Sequence, residues 1–161
     1  MKVSAADNAI VAKILIVDDE PDLREIIADQ LHELKLQADG VSYVLEIHHA
    51  QNGKDAIDKV AQIWFDAILT DINMPEMSGI ELLAELRSSG NDVPVAMLTG
   101  YGDKAKSVEA LRLGCYAFVD KPWRGDALRR ILTGATEKGI ALREAGPPTG
   151  SISIARPPTA A

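Results

Sequence analysis

Four short apolar segments of the chain are each followed by polar side chains that can take part in chemistry. Apolar runs of roughly four to eight residues, bounded by turn-forming residues, are typical of buried strands. In chain order, the segments and their polar residues are 14–17 with Asp18 and Asp19, 67–70 with Asp71, 93–98 with Thr99, and 116–119 with Asp120 and Lys121. Because ligands of open parallel sheets bind at the carboxyl ends of the strands, the sequence predicts that these side chains share one edge of a sheet.

The carboxylates of Asp18, Asp19 and Asp71 would repel one another at that edge. Two unit charges about 4 Å apart repel by roughly 4 kcal/mol at an effective dielectric of about 20, so the cluster needs a counter-charge. Mg²⁺ prefers oxygen ligands and suits such a cluster, while Lys121 can pair with a phosphate and Thr99 offers a hydroxyl. Together these groups are typical of phosphoryl transfer. The alternative is that Asp18 and Asp19 merely cap the helix that follows them.

The rest of the chain alternates between strand-like and helix-like patterns, which predicts a parallel sheet with helices on both faces. The predicted strands are residues 13–17, 43–49, 67–70, 93–98 and 116–119. The predicted helices span about 21–37, 56–64, 80–90, 104–113 and 123–135, and residues 38–42 are predicted to form a loop. No glycine-rich dinucleotide loop follows the first strand. The doubly wound five-stranded flavodoxin-like order 2-1-3-4-5 is therefore favoured over the Rossmann order.

Composition restricts the class of protein. With 161 residues and a net charge of −7, the sequence predicts one folded domain that does not bind nucleic acid through bulk charge. Its single cysteine excludes an internal disulfide bond. No apolar run approaches the roughly 18 residues of a membrane span, and no signal-peptide core is visible, so we expect a cytoplasmic protein without membrane contact. We expect the domain over residues 13–145, an N-terminal extension over 1–12 and a proline-rich disordered tail or linker over 146–161.

The motifs at the predicted edge resemble those of the receiver domain of a two-component response regulator, over about residues 13–135. The matching motifs are Asp18-Asp19, Asp71-Ile72-Asn73-Met74-Pro75 with Gly79, Leu98-Thr99-Gly100, and Lys121-Pro122. The resemblance implies a CheY-like fold and a phosphoacceptor domain that catalyses only its own phosphorylation and dephosphorylation. It also implies partners: a sensor histidine kinase or a histidine phosphotransfer protein, a downstream effector, and, as a further option, a second copy of the chain.

The resemblance assigns roles to the residues that would contact a phosphoryl group. Asp71 would accept that group from a phosphohistidine, Lys121 would pair with it, and Thr99 would hydrogen-bond it. Thr99 and Phe118 would form the conformational switch. The effector would then bind the face made by the fourth helix, the fifth strand and the fifth helix.

The resemblance also assigns a metal site. Mg²⁺, or Mn²⁺ in its place, would be held by the acidic pair, by the phosphoacceptor and by one backbone oxygen. These ligands are Asp18, Asp19, Asp71 and the backbone carbonyl of Asn73. Asp19 is expected to bind the ion directly and Asp18 partly through water.

Several points stay open at the level of sequence. The segment of about residues 35–43 is longer than in most receivers, which leaves the limits of the second strand uncertain. An alternative function is an aspartyl-phosphate phosphohydrolase of the haloacid-dehalogenase type. That class places its two acids two positions apart after the first strand, whereas Asp18 and Asp19 are adjacent. A receiver-like binding module that is never phosphorylated is a third possibility. Tyr101 either lies across the phosphorylation site or points to solvent.

Overall fold

A computed structural model describes residues 9–146 of the chain as a six-stranded sheet with helices on both faces. The strands are β1 (Ala9–Val17), β2 (Gln37–Ala38), β3 (Val41–Ala50), β4 (Ala67–Asp71), β5 (Val95–Thr99) and β6 (Ala117–Asp120). The helices are α1 (Pro21–Leu34), α2 (Gly53–Val60), α3 (Gly79–Ser88), α4 (Lys104–Arg112) and α5 (Gly125–Ala145). None of these helices combines the length and the apolar character needed to cross a bilayer.

The strand order β2-β3-β1-β4-β5-β6 contains the predicted flavodoxin-like order. The five strands from β3 to β6 in that list pair in parallel and correspond to the predicted order 2-1-3-4-5. The sheet nevertheless has six strands rather than five, because β2 adds an antiparallel edge to β3. The fold class was therefore predicted correctly and the strand number was wrong.

The sixth strand arises from a hairpin in the segment predicted to be a loop. Gln37 and Ala38 pair with Ser42 and Val41, and the residues between them, Asp39 and Gly40, have φ angles of 51° and 78°. Two successive residues with positive φ form the tight turn that matches the twist of hairpin strands, and Asp-Gly is a favoured sequence for it. The predicted loop over 38–42 is therefore wrong, and the long segment before the second predicted strand is a hairpin.

Strand β1 is longer than predicted, because β3 gives it a long partner. It begins at Ala9 rather than at Lys13, and its register with β3 runs from Ala9 opposite Ser42 to Val17 opposite Ala50. Residues 9–12 are therefore part of the sheet, not of an N-terminal extension. Residues 1–8 and 147–161 lie outside the described part of the chain, which leaves most of the predicted extension and tail undescribed.

The core lies in two layers, one on each face of the sheet. Along β1, Leu15 and Val17 join the layer beneath α2, α3 and α4, while Ile14 and Ile16 join the layer beneath α1 and α5. All four side chains have 0% exposure. Full burial on both faces explains why the strand sequences are continuously apolar instead of alternating. Each buried side chain of this size stabilises the fold by about 1.5–3 kcal/mol.

Helix ends follow local sequence signals. Pro21 is in the first turn of α1, where its missing N–H leaves no hydrogen bond unmade, and the hydroxyl of Ser78 caps α3 by accepting from the backbone N–H of Glu81 at 3.2 Å. Asn52 caps α2, because its side-chain oxygen accepts from the backbone N–H of Asp55 at 2.8 Å. Helix α1 ends at Leu34 rather than near residue 37, because the chain turns away to form β2.

Helix α5 is much longer than its apolar pattern predicts, and it packs directly on the backbone at the amino end of β4. A Cβ atom at Gly139 would lie 1.6 Å from the backbone oxygen of Asp66. The fully buried Asp66 side chain accepts a hydrogen bond from the N–H of Lys13 at 2.9 Å and lies 3.3 Å from the guanidinium of Arg143. These contacts fasten α5 well beyond residue 135.

Candidate functional site

The parallel register of β1 and β4 brings three carboxylates together at the carboxyl end of the sheet. Val17 lies opposite Thr70, so the residues that follow them, Asp18 and Asp71, come side by side. With Asp19, they offer oxygen atoms that all lie within 4.8 Å of one another. Asp18 and Asp71 are buried and Asp19 is exposed. The predicted convergence of the three acids is therefore confirmed.

The environment of Asp18 fits a cation ligand better than a helix cap. Its Oδ1 atom accepts from the N–H of Glu20 at 2.9 Å, while its Oδ2 atom is buried and has no hydrogen-bond partner within residues 9–146. Burial raises the pKa of Asp18 from 3.8 to about 6, and the nearby charges of Asp71 and Asp19 act in the same direction. A buried oxygen without a partner is costly, so a hard divalent cation would relieve this site.

The helix-capping alternative for the acidic pair is not supported. The residue at the N-cap position of α1 is Glu20, and its side chain makes no capping hydrogen bond. The bond from Glu20 to Asp18 lies within the loop that precedes the helix. The two aspartates therefore contribute to the carboxylate cluster instead of capping the start of α1.

Lys121 supplies the positive charge next to Asp71. Its Nζ atom lies 2.9 Å from Oδ2 of Asp71, and its backbone N–H donates to the carbonyl of Thr99 at 2.7 Å. The second contact fixes the loop after β6 against β5, so the ammonium group is held where the sequence predicted it. Asn73 lies just after β4, and its N–H is 3.4 Å from Oδ1 of Asp71.

Thr99 lies at the predicted edge, but its hydroxyl is directed to the carboxylate of Asp120 and not to that of Asp71. The side chain is buried, with 7% exposure, and its Oγ1 atom lies 3.1 Å from Oδ1 of Asp120. Thr99 and Asp120 are direct neighbours in the register of β5 and β6. The sequence analysis predicted Asp120 at this edge, next to Lys121, but assigned it no role.

The two aromatic residues near the site differ in burial. Phe118 is half-buried and packs against the core layer beneath α2, α3 and α4. Tyr101 is fully exposed at 109% and does not lie across the site. Of the two alternatives for Tyr101, the structure supports the solvent-facing one.

Comparison with known proteins identifies the family. The response regulator receiver domain family matches residues 14–133. This chain is a response regulator receiver domain. The match covers every residue predicted for the site, from Asp18 to Lys121.

Relatives of this receiver domain include whole regulators and single-domain proteins. It is 39% identical to the regulatory protein AtoC of Escherichia coli K12 over 127 residues, which is 79% of this chain and 26% of AtoC. It is 34% identical to the chemotaxis protein CheY1 of Helicobacter pylori, over 74% of this chain and 93% of CheY1. The chain thus spans about a quarter of the length of the first regulatory relatives.

Solved receiver structures agree with the fold. The structure of the chemotaxis response regulator CheY4 of Vibrio cholerae superposes with a TM-score of 0.64 at 29% identity, covering 78% of this chain and 99% of that one. Receiver domains of two-component systems are signalling domains that bind a divalent metal at an acidic site. The cluster of Asp18, Asp19 and Asp71 is the corresponding acidic site in this receiver domain.

A second polar network in the receiver domain escaped prediction. The buried carboxylate of Asp103 accepts from the side-chain amide of Asn73 at 3.0 Å and from the N–H of Gly100 at 2.7 Å. These bonds lower the pKa of Asp103. Lys106, on α4, donates to the side-chain oxygen of Asn73. The loop after β4 is therefore linked to α4.

Sequence position alone would have assigned Asp103 a different role. It stands just before α4, which is the position where an aspartate usually caps a helix. In the structure its side chain makes no capping bond. Its partner Asn73 is thirty residues away in the chain, so only the assembled sheet edge reveals the contact.

Proposed function

We propose that this receiver domain accepts a phosphoryl group on Asp71 from the phosphohistidine of a sensor histidine kinase or of a histidine phosphotransfer protein. One observation carries the proposal: the Asp71 carboxylate lies within the acidic cluster and is contacted by the Lys121 ammonium at 2.9 Å.

In the transfer step, an Asp71 oxygen attacks phosphorus while the phosphorus–nitrogen bond of the phosphohistidine breaks. The electron pair of that bond goes to the imidazole, which takes a proton from solvent. Lys121 stays close to the new phosphoryl oxygens and balances part of their charge. In dephosphorylation, water attacks phosphorus, the Asp71 carboxylate leaves, and inorganic phosphate is released.

The acidic cluster would hold Mg²⁺, with Mn²⁺ as a substitute. We propose Asp18, Asp19, Asp71 and the backbone carbonyl of Asn73 as its ligands, a set supported by the unpartnered buried oxygen of Asp18. When bound, the ion would offset negative charge on the carboxylates and on the phosphoryl oxygens.

We further propose that phosphorylation acts through Thr99 and Phe118 on the face formed by α4, β6 and α5. The two residues lie on neighbouring strands, and α4 exposes apolar side chains on its surface: Val108 is 45% exposed and Leu111 is 60% exposed. Exposed apolar groups close together are typical of partner-binding surfaces. The partner there would be a downstream effector or a second copy of this chain.

We place this receiver domain among cytoplasmic signalling proteins that catalyse no reaction except their own phosphorylation and dephosphorylation. The alternative, a phosphohydrolase of the haloacid-dehalogenase type, receives no support from the related proteins. We propose a domain within residues 13–145, extended by the strand residues from Ala9 onward, with residues 146–161 as a tail or linker.

Phosphorylation by a small donor tests the proposal. Incubation with acetyl phosphate and Mg²⁺ should add one phosphoryl group, seen by intact mass, and chelation of the metal should prevent it. Asp71→Asn should remove the labelling, while the control Asp126→Asn, which alters an exposed acid at the start of α5, should label normally. Labelling of Asp71→Asn at the wild-type level would contradict the assignment.

A further inference from the structure

The hydrogen bond between Thr99 and Asp120 follows from the geometry of two neighbouring strands. The register places the two residues side by side, and the bond from the N–H of Lys121 to the carbonyl of Thr99 fixes that alignment. The Thr99 hydroxyl then donates to Oδ1 of Asp120 at 3.1 Å. Within residues 9–146, Thr99 is the hydrogen-bond partner of the Asp120 side chain.

A threonine hydroxyl carries one proton and can donate it to only one acceptor at a time. In this structure the proton is directed to a carboxylate, and a hydrogen bond to an ionised acceptor is stronger than one to a neutral acceptor. A phosphoryl group on Asp71 would offer a second ionised acceptor. Thr99 would then have to leave Asp120 before it could donate to that group.

Asp120 and Lys121, which follow Val119, would therefore have opposite effects on the contacts made by a phosphoryl group at Asp71. Lys121 lies 2.9 Å from Asp71 and favours negative charge there. Asp120 is exposed, carries negative charge at the same edge, and holds the hydroxyl that the phosphoryl group needs. A residue that opposes a switch in this way sets how completely phosphorylation can shift it.

We propose that Asp120 is a positioning residue that competes with the phosphoryl group for the Thr99 hydroxyl and so keeps the unphosphorylated receiver in its resting conformation. The inference rests on the proposed phosphorylation of Asp71. The resting conformation is favoured by the hydrogen bond itself, which Thr99 donates to Asp120 before phosphorylation and to the phosphoryl group afterwards. A long-range effect of the Asp120 charge is not part of the proposal. Removal of the acceptor should therefore shift the switch even without phosphate.

The first test measures the Thr99 rotamer in the unphosphorylated 161-residue chain. Three-bond NMR couplings from Cγ2 of Thr99 to its backbone nitrogen and carbonyl carbon report that rotamer. In the wild type and in Asp120→Asn, whose amide oxygen still accepts, they should show one rotamer. In Asp120→Ala they should average. The matched control Asp126→Asn should resemble the wild type. Unchanged couplings in Asp120→Ala would overturn the proposal.

The second test measures the conformational balance. In unphosphorylated Asp120→Ala, the population of the phosphorylated-like state, read from the chemical shifts of α4 and β6, should rise about tenfold. In Asp120→Asn, whose neutral amide oxygen accepts a weaker hydrogen bond, the rise should be clearly smaller than in Asp120→Ala. In a Thr99→Val background, Asp120→Ala should add nothing, because no hydroxyl remains. An equal shift in Asp120→Asn, or a full shift in the Thr99→Val background, would show a charge effect and overturn the proposal.

The two proposals fail in distinguishable ways. If acetyl phosphate does not label the wild type, the proposed phosphorylation of Asp71 fails, but the rotamer couplings still report whether Asp120 holds Thr99. If labelling succeeds and the couplings of Asp120→Ala match those of the wild type, only the role of Asp120 fails.

Discussion

Asp66 and Asp71 lie at the two ends of β4, and both are buried, yet their surroundings differ completely. Asp66 stands at the amino end, where the N–H of Lys13 and the guanidinium of Arg143 contact it and α5 covers it. Asp71 stands at the carboxyl end, with two further carboxylates and one ammonium group beside it. One acid fastens a helix, and the other is placed for chemistry.

This contrast shows that burial and a shifted pKa do not identify a functional carboxylate. Burial raises the pKa of Asp66 at the structural end just as it raises that of Asp18 at the site. The distinguishing feature is the set of neighbours. At the amino end an α-helix lies against the backbone, while at the carboxyl end three acids share a space that an oxygen-binding cation would fill.

The strongest test of the structural end is Gly139→Ala. The new Cβ would lie 1.6 Å from the Asp66 carbonyl oxygen, so α5 must move away from β4. We expect a loss of about 3 kcal/mol or more in the free energy of unfolding, measured by urea titration. The fraction that remains folded should still be labelled by acetyl phosphate, because Asp71 is at the other end of the strand.

A glycine of the same helix serves as the control. A Cβ at Gly125 would lie 3.6 Å from Leu34, an ordinary contact, so Gly125→Ala should change stability by less than about 1 kcal/mol. Equal effects of the two substitutions would mean that the close approach of Gly139 to Asp66 does not fasten α5.

In the absence of divalent cations, the stability of the protein should depend on pH through Asp18, at the carboxyl end of the sheet. The pKa of Asp18 is raised from 3.8 to about 6 in the folded state, so its contribution to stability is complete below about pH 4 and is lost as pH rises through about 6. The full difference is on the order of 3 kcal/mol. Wild-type protein in chelator should therefore lose stability relative to Asp18→Asn between about pH 4 and pH 7.

Added Mg²⁺ separates this effect from general acid titration. Above about pH 6, Mg²⁺ should raise the urea midpoint of the wild type more than that of Asp18→Asn, because the ion binds the charged form. A difference between wild type and Asp18→Asn that does not vary with pH would show that Asp18 titrates normally in the folded protein.

The smallest expected effect is that of Tyr101→Ala. Its ring is fully exposed and does not cover the acidic cluster, so the rate of phosphate loss from the labelled protein should change by less than about twofold. Intact mass followed over time gives that rate. A severalfold acceleration would show that the ring closes over Asp71 once the phosphoryl group is present.

The sheet edge was predictable because it depends on local patterns. Buried strands are recognised by their apolar runs, and parallel pairing then brings the residues that follow them, such as Asp18, Asp71 and Lys121, to one edge. The hairpin was missed although its signal, Asp39-Gly40, was present in the sequence. A two-residue strand adds too little apolar pattern to be recognised.

The remaining contacts depend on tertiary structure. Neither the bond from Asn73 to Asp103 nor that from Thr99 to Asp120 has a sequence signature, because each depends on which strands and loops become neighbours. The length of α5 was missed for a similar reason. Its last turns are stabilised by Gly139 lying against a backbone oxygen, a contact that no apolar periodicity encodes.

Helix α5 lies against the backbone of Asp66 at Gly139, so a tilt of the helix would pivot at that residue. The part of the helix from Gly125, four residues after Lys121, to Gly139 is about 21 Å long, and the part from Gly139 to Ala145 is about 9 Å long. When α5 tilts about Gly139, Ala145 would move in the direction opposite to Gly125 and by less than half the distance. If the proposed phosphorylation of Asp71 tilts α5, the residues that follow Ala145 would therefore move less than the start of the helix, and in the opposite direction.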